Sequence, residues 1–364
     1  MTLLFHTADR PSSLHDRDGL TSFLNRSIPR PEMLNDAEYS SMTDTARASY
    51  DRSRVVYTSG GIVIATPHVT ESVRLLKQAF AVNVGRNSGH AGLMLNGDST
   101  VGKTETAKTL MRTVHSQYTR MYPDYAEHGQ LPVVYVSVPA ASTGKLLMKT
   151  FAEFLGLPVT GRESMGEIRR RVVQALIAAG TQLIVVDELQ NLVGRSVGLG
   201  ESVDVLKNLH NEVPATFVYA GFGLANGALL SGAKGQQLRG RFTIFDMERL
   251  NLGDAADRKT WSGLIAAFEK KLPLRHQEIG TLRLLRDYLY LRTSGSIGSL
   301  AKLLTGATIE LITNPKYTQE CLTEAVMNTV KLDQFAEENY KIKMAALSKG
   351  SKALQYPMSG LASA

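Results

Sequence analysis

The sequence predicts an α/β fold, a parallel sheet flanked by helices, that leads into an all-helical C-terminal lid. Between about residues 92 and 247, short apolar segments alternate with stretches of helical spacing, the order that a sheet with crossover helices requires. Gln182 to Val186 reads as an apolar strand without a break, as expected of one buried on both faces. Beyond about residue 252 the strand signals cease and only helical spacing remains.

Taken in order, residues 1–55 are polar and mixed in charge, with Leu34–Tyr39 as a short helix, and predict an extended arm ordered against a partner. Gly61 to Pro67 has β character and stops at the proline, and Thr70 is placed to cap a helix carrying Val73, Leu76, Lys77 and Phe80. Leu93-Met94-Leu95 is a short strand and Glu105 to about Tyr118 a helix. Pro132–Val138 is the second strand, followed by helices over Gly144–Leu155 and Ser164–Ala179. After Gln182–Val186 come strands at Thr216–Ala220 and Phe242–Met247. Helices are then expected over Trp261–Lys270, Gly280–Leu291, Ser299–Thr313 and Cys321–Ala345, with a fraying tail from Ser348. The predicted divisions are an arm (1–55), an α/β domain (56–251), a helical lid (252–347) and a tail (348–364).

The 364 residues give room for one large domain or two ordinary ones, and 43% apolar with 21% charged residues is a normal globular balance. No stretch approaches the roughly 18–20 apolar residues of a membrane span. The first residues do not read as a signal peptide. Cys321 is the single cysteine, so no internal disulfide forms, and no Cys/His cluster has zinc spacing. The expectation is a reduced, cytoplasmic protein with no membrane partner. A net charge of +7 fits a polyanionic partner and equally an ordinary basic surface.

The segment Gly97-Asp98-Ser99-Thr100-Val101-Gly102-Lys103-Thr104 fits G-x-x-x-x-G-K-[ST], follows an apolar strand and opens a helix, which makes it a P-loop. The glycines let backbone N–H groups turn inward, and the helix N-terminus adds partial positive charge. Lys103 can reach the β- and γ-phosphates of ATP and Thr104 can ligate Mg²⁺. Leu183-Ile184-Val185-Val186-Asp187-Glu188 ends a buried strand in two acids, at the carboxyl edge where α/β proteins bind ligands. Asp187 is expected to hold the metal and Glu188 to act as general base on the attacking water. Leu238-Arg239-Gly240-Arg241-Phe242 sets a basic pair before the last strand. Arg241, directly before that strand, is favoured over Arg239 as an arginine finger for a neighbouring subunit. Two solvated arginines are the plain alternative.

Together these residues resemble the AAA+ ATPases, in particular the transposition regulators of the TniB/TnsC type, over about residues 55–330. The resemblance rests on GDSTVGKT, LIVVDELQNL (183–192), LRGRF (238–242) and TSGSIGSLAKLL (293–304), and Ile64–Val69 is similar to the family's adenine-side segment. It implies ATP-dependent assembly into a ring or filament on double-stranded DNA, without strong sequence specificity, and recruitment or activation of a transposase. A target-selection protein is a further implied partner. A ring tracking a duplex needs cations and hydroxyls facing it. Thr143, Lys145 and Lys149 form one candidate set. Arg162 and Arg169, with Arg170 and Arg171, form the other. A solvated helix face is the plain alternative for either set, since Glu163 and Glu167 offset some of that charge.

Two departures from the family pattern stand out. The strand after the acidic pair usually ends in a polar residue that positions the lytic water, whereas here it runs Phe217-Val218-Tyr219-Ala220-Gly221-Phe222. The lid helix of many AAA+ enzymes begins with an arginine, whereas here that turn is Gly295–Ser299 and Arg292 lies one turn earlier. Both suit a slow switch stimulated by DNA or partners better than a motor. The alternatives are a replication initiator or helicase loader, and a nucleotide-binding scaffold with little turnover.

Overall fold

The computed structural model describes residues 13–192, 196–224 and 230–348. Residues 1–12 of the expected arm and 349–364 of the expected tail lie outside them. The elements begin with α1 (Arg17–Asn25), α2 (Asp36–Ser41), α3 (Asp44–Gly60), α4 (Pro67–Asn83), β1 (Gly92–Asn96), α5 (Lys103–Met121) and β2 (Val133–Ser137). Next come α6 (Gly144–Phe154), α7 (Met165–Ala178), β3 (Leu183–Asp187), α8 (Ser196–Glu212), β4 (Thr216–Gly221), α9 (Gly232–Arg239) and β5 (Phe242–Asp246). The chain then runs through α10 (Ala255–Glu269), α11 (Thr281–Leu284), α12 (Arg286–Thr293), α13 (Ile297–Thr313), α14 (Glu324–Met327) and α15 (Gln334–Ser348). Among the described residues no helix is long and apolar enough to cross a membrane.

The described residues fall into two compact units, 13–26 with 67–248 and 27–66 with 249–348. The first holds a five-stranded sheet in the order β2-β3-β4-β1-β5. Every pairing is parallel, with Gly92 opposite both Phe217 and Phe242, and Leu183 opposite both Val133 and Thr216. Leu93, Met94 and Leu95 on β1 and Leu183 to Val186 on β3 are fully buried, as helices on both faces demand. The helices α8 and α9 were not singled out by the sequence pattern.

The N-terminal segment corrects the expectation of an extended arm. Asp16 caps α1 by accepting from the Gly19 N–H at 2.7 Å. Leu20 is fully buried, and Phe23 lies 4.3 Å beneath the Arg112 guanidinium of α5. Apolar residues at helical spacing (Leu20, Phe23, Leu24) fix this piece to the sheet unit. Asn35 and Glu38 form a reciprocal capping box on α2. The β character of 61–67 is not realised either. α3 runs on to Gly60, and Ile62 and Ile64 pack against the helical core instead of a strand ladder. α4 starts at Pro67, whose missing N–H suits a first helical position, so Thr70 lies inside the helix and does not cap it.

The second unit is helical around Trp261, Leu289, Leu300, Leu303 and Leu304, all fully buried. The expected helix over 321–345 is two helices, because Asp333 accepts from the Ala336 N–H at 3.0 Å and restarts the chain as α15. Likewise 280–291 divides into α11 and α12. Arg54 of α3 is fully buried and donates to Glu320 at 2.5 and 3.1 Å and to Asp51 at 2.6 Å. Arg275 donates to the same Glu320 at 2.9 Å and to Asp36 at 2.6 Å. Burial pushes the Glu320 carboxyl up, but the hydrogen bonds and charges of Arg54 and Arg275 outweigh it and hold the group below its ordinary range.

Glu320→Ala leaves two guanidiniums short of a buried partner and is expected to cost about 3–5 kcal/mol. Chemical denaturation followed through the fluorescence of Trp261, the only tryptophan, reads this unit directly. Because the folded pKa of Glu320 is lowered, its contribution is complete above the ordinary value of 4.5 and is lost as pH falls through the folded one. The stability gap between wild type and variant therefore narrows in acid.

Candidate nucleotide-binding site

β1 delivers the chain to the loop Gly97–Gly102 at the carboxyl edge of the sheet, and α5 begins at Lys103. Gly97 is required by close approach, since a Cβ there would stand 2.4 Å from the Met247 backbone oxygen. Gly102 has φ of 99°, a left-handed conformation that glycine adopts without strain, and it starts α5 without a side-chain cap. The first N–H groups of a 19-residue helix thus face the loop's concave side.

Lys103 folds over this loop, its Nζ donating to the Gly97 oxygen at 2.8 Å and the Asp98 oxygen at 2.7 Å. Burial lowers the lysine pKa, and the carboxylates of Glu188, Asp187 and Asp98 offset part of that effect. The Thr104 hydroxyl donates to Asp187 Oδ2 at 3.0 Å. Asp187 is 2% exposed, and its other oxygen accepts the Glu188 N–H at 2.9 Å. Glu188 is exposed and sits at φ 57°, a left-handed conformation that is uncommon without glycine. The strand therefore ends with one acid turned inward and the next turned to water.

The sequence reading missed Tyr135. Its hydroxyl donates to Asp187 Oδ2 at 3.1 Å, and burial with the nearby Asp187 charge pushes the phenol well above its ordinary range. The available signal was one polar atom in the apolar run Val133-Val134-Tyr135-Val136, on the strand next to β3. Asn96 was also missed. At the end of β1, its amide donates to Asp246 at 2.5 Å and accepts from the Leu224 N–H at 2.8 Å.

A hydroxyl and a carboxylate 3.0 Å apart, beside a lysine and a helix N-terminus, fit a hard divalent ion and a polyphosphate. Among the described residues no group of three or more His, Cys, Asp or Glu could hold a metal. Two protein oxygens with the remainder from phosphate and water is the pattern magnesium prefers.

The other predicted residues lie elsewhere. Arg241 precedes Phe242, which pairs with Gly92, so it stands at the amino edge, opposite the loop. It donates to Asn211 at 2.6 Å, whereas Arg239 in the last turn of α9 is exposed. Thr143 caps α6 just beyond β2 by accepting from the Leu146 N–H, with Lys145 and Lys149 exposed on the same helix and Lys149 3.6 Å from Glu153. Arg162 is exposed between α6 and α7. Arg169 is paired with Glu212, and Arg171 with Glu163 at 2.9 Å, which uses charge that the sequence left available for DNA. Arg292 is 2% exposed and held by Glu337 at 3.1 Å inside the helical unit.

Five parallel strands in this order, a glycine loop opening α5 and an acidic pair ending β3 define a P-loop nucleotide-binding protein of the AAA+ class. The chain belongs to the TniB family: the model of the bacterial TniB protein matches residues 54–252. Among solved structures, Aeropyrum pernix ORC1 in complex with DNA shares 19% identity, over 82% of this chain and 71% of that one, with a TM-score of 0.57. Cdc6p from Pyrobaculum aerophilum shares 14%, over 81% and 84%, with a TM-score of 0.50. The Aeropyrum pernix ORC2 protein in its ADPNP–ADP complexes shares 15%, over 71% and 66%, with a TM-score of 0.50. These likenesses establish the fold alone. No curated protein sequence matches the chain.

Gly97→Ala is expected to abolish nucleotide binding while circular dichroism stays that of the wild type, because the clash is with backbone that cannot yield locally. Retained affinity for a fluorescent ATP analogue contradicts the loop assignment.

Proposed function

We propose that the protein binds ATP with Mg²⁺, hydrolyses it slowly, and uses its nucleotide state to assemble on duplex DNA and regulate transposition. The observation that carries this is the Thr104–Asp187–Glu188 cluster at the carboxyl edge, within a chain of the TniB family. Lys103 exchanges its two loop carbonyls for phosphate oxygens, and the α5 N-terminus holds the phosphates by backbone N–H groups. Thr104 and Asp187 would hold the magnesium ion, which when bound neutralises charge on the phosphates. Glu188, turned to water, takes a proton from the attacking water.

Oligomer formation gives Arg241 a role that one chain cannot. The five-residue strand β1 separates it from the P-loop by roughly 16 Å, at about 3.3 Å per residue, so it serves a phosphate only on another subunit. To do so it must leave Asn211. For DNA we favour the phosphate-facing set Thr143, Lys145, Lys149, Arg162 and Arg169, the last after release from Glu212. The solved ORC1 protein was captured with DNA, which lends support by fold only. A transposase and a target-selection protein complete the proposed partners. The replication-initiator alternative has no observation of its own beyond the shared fold.

Two measurements test this proposal. Glu188→Gln is expected to bind ATP, to fail in hydrolysis and to leave long-lived oligomers on duplex DNA. Disassembly at the wild-type rate contradicts the base. Arg241→Ala is expected to lower DNA-stimulated phosphate release by a factor on the order of 10³, with ATP binding by the monomer intact. Undiminished turnover moves the finger to the exposed Arg239.

A further inference from the structure

The tip of β4 carries no polar side chain, yet it is not without an amide. Gly221 ends the strand, and a Cβ there would meet the Gln190 side-chain oxygen at 2.5 Å. That oxygen accepts the Phe222 N–H at 3.0 Å, so the Gln190 amide is fixed against the β4 exit, in space opened by the glycine. The other end of the same amide donates to Glu188 Oε2.

The turn that presents Gln190 is itself held from the other side. Asn191 donates from its amide to the Val138 oxygen at 2.9 Å, and its backbone oxygen accepts the Ser142 N–H at 3.0 Å. Leu189 and Leu192 of the turn are fully buried. The Asp-Glu-Leu-Gln-Asn string thus bridges the exits of β2 and β4, with Glu188 exposed between them.

We propose that Gln190 is a positioning residue for Glu188, supplying from the turn after β3 the polar group that the end of β4 lacks. Donation to Oε2 fixes the plane of the carboxylate and leaves Oε1 to accept the proton of water. The inference rests on Glu188 acting as the base.

The test uses the full chain with duplex DNA and three variants. Gln190→Met keeps the length but loses both hydrogen bonds. Gln190→Glu keeps an acceptor for Phe222, loses the donor and sets a second carboxylate beside Glu188. Glu188→Gln is the control for the base. In Gln190→Met, kcat is expected to fall on the order of tenfold or more, as orientation is lost with the base still present, while KM and affinity for a fluorescent ATP analogue stay within about twofold. In Gln190→Glu, which keeps the size of the side chain and the acceptor for Phe222, kcat is expected to fall as in Gln190→Met with KM unchanged, because the donor to Glu188 Oε2 is lost. A role confined to packing leaves the kcat of Gln190→Glu at the wild-type value. Should Gln190→Met misfold, Gln190→Glu carries the test alone. Impaired turnover in Glu188→Gln with wild-type kcat in folded Gln190 variants overturns this inference only. Wild-type turnover in Glu188→Gln overturns the base and this inference with it.

Discussion

The 3.0 Å hydrogen bond from Thr104 to Asp187 ties together two parts of the chain that are not neighbours in the sheet. β1 and β3 flank β4, so the helix that leaves β1 must lean across one strand for its first turn to meet the end of β3. That crossing depends on glycine at the loop's closest approach to Met247 and on a left-handed turn at Gly102. It depends also on Asp187 remaining buried at the strand end, where Tyr135 and the Glu188 N–H share its oxygens. A carboxylate buried to this degree is tolerated only when its lone pairs are met, and here three donors meet them.

The same geometry sorts the charged residues into roles. At the carboxyl edge, acids and the P-loop lysine face each other across a short gap, and burial alone would disfavour the lysine's charge. At the amino edge, Arg241 lies beside buried His210, whose pKa falls to about 3 chiefly through burial, with the Arg241 charge adding to it. A neutral imidazole there packs among Phe217 and Phe242 as an apolar ring. The sheet therefore separates the edge carrying the P-loop from one carrying a cation, and only a head-to-tail neighbour would bring the two together.

The P-loop and the acidic pair were legible in the sequence because each needs particular residue types at fixed spacing, with apolar strands before them to set the register. The sheet was legible for the same reason, since strands buried on both faces leave unbroken apolar runs. What the sequence hid depends on contacts between distant segments. The helices of residues 17–60 are held by long-range partners, Arg112 on Phe23 and Glu320 on Arg54, which local polarity does not reveal. Arg169 looked available for DNA until Glu212 appeared beside it. That β4 ends without a polar side chain is legible in the sequence, but the approach of Gln190 to that end depends on the turn after β3 folding against Phe222. Tyr135 belongs with these, because its hydroxyl gains meaning only from Asp187 on the adjoining strand.

Thr104 and Asp187 would jointly hold a magnesium ion against a triphosphate on the α5 N-terminus. Calorimetric titration of ATP into wild type and Asp187→Asn, each with and without magnesium, tests it most directly. Magnesium should strengthen ATP binding in the wild type and have little effect in the variant. Equal magnesium dependence in both proteins contradicts the account.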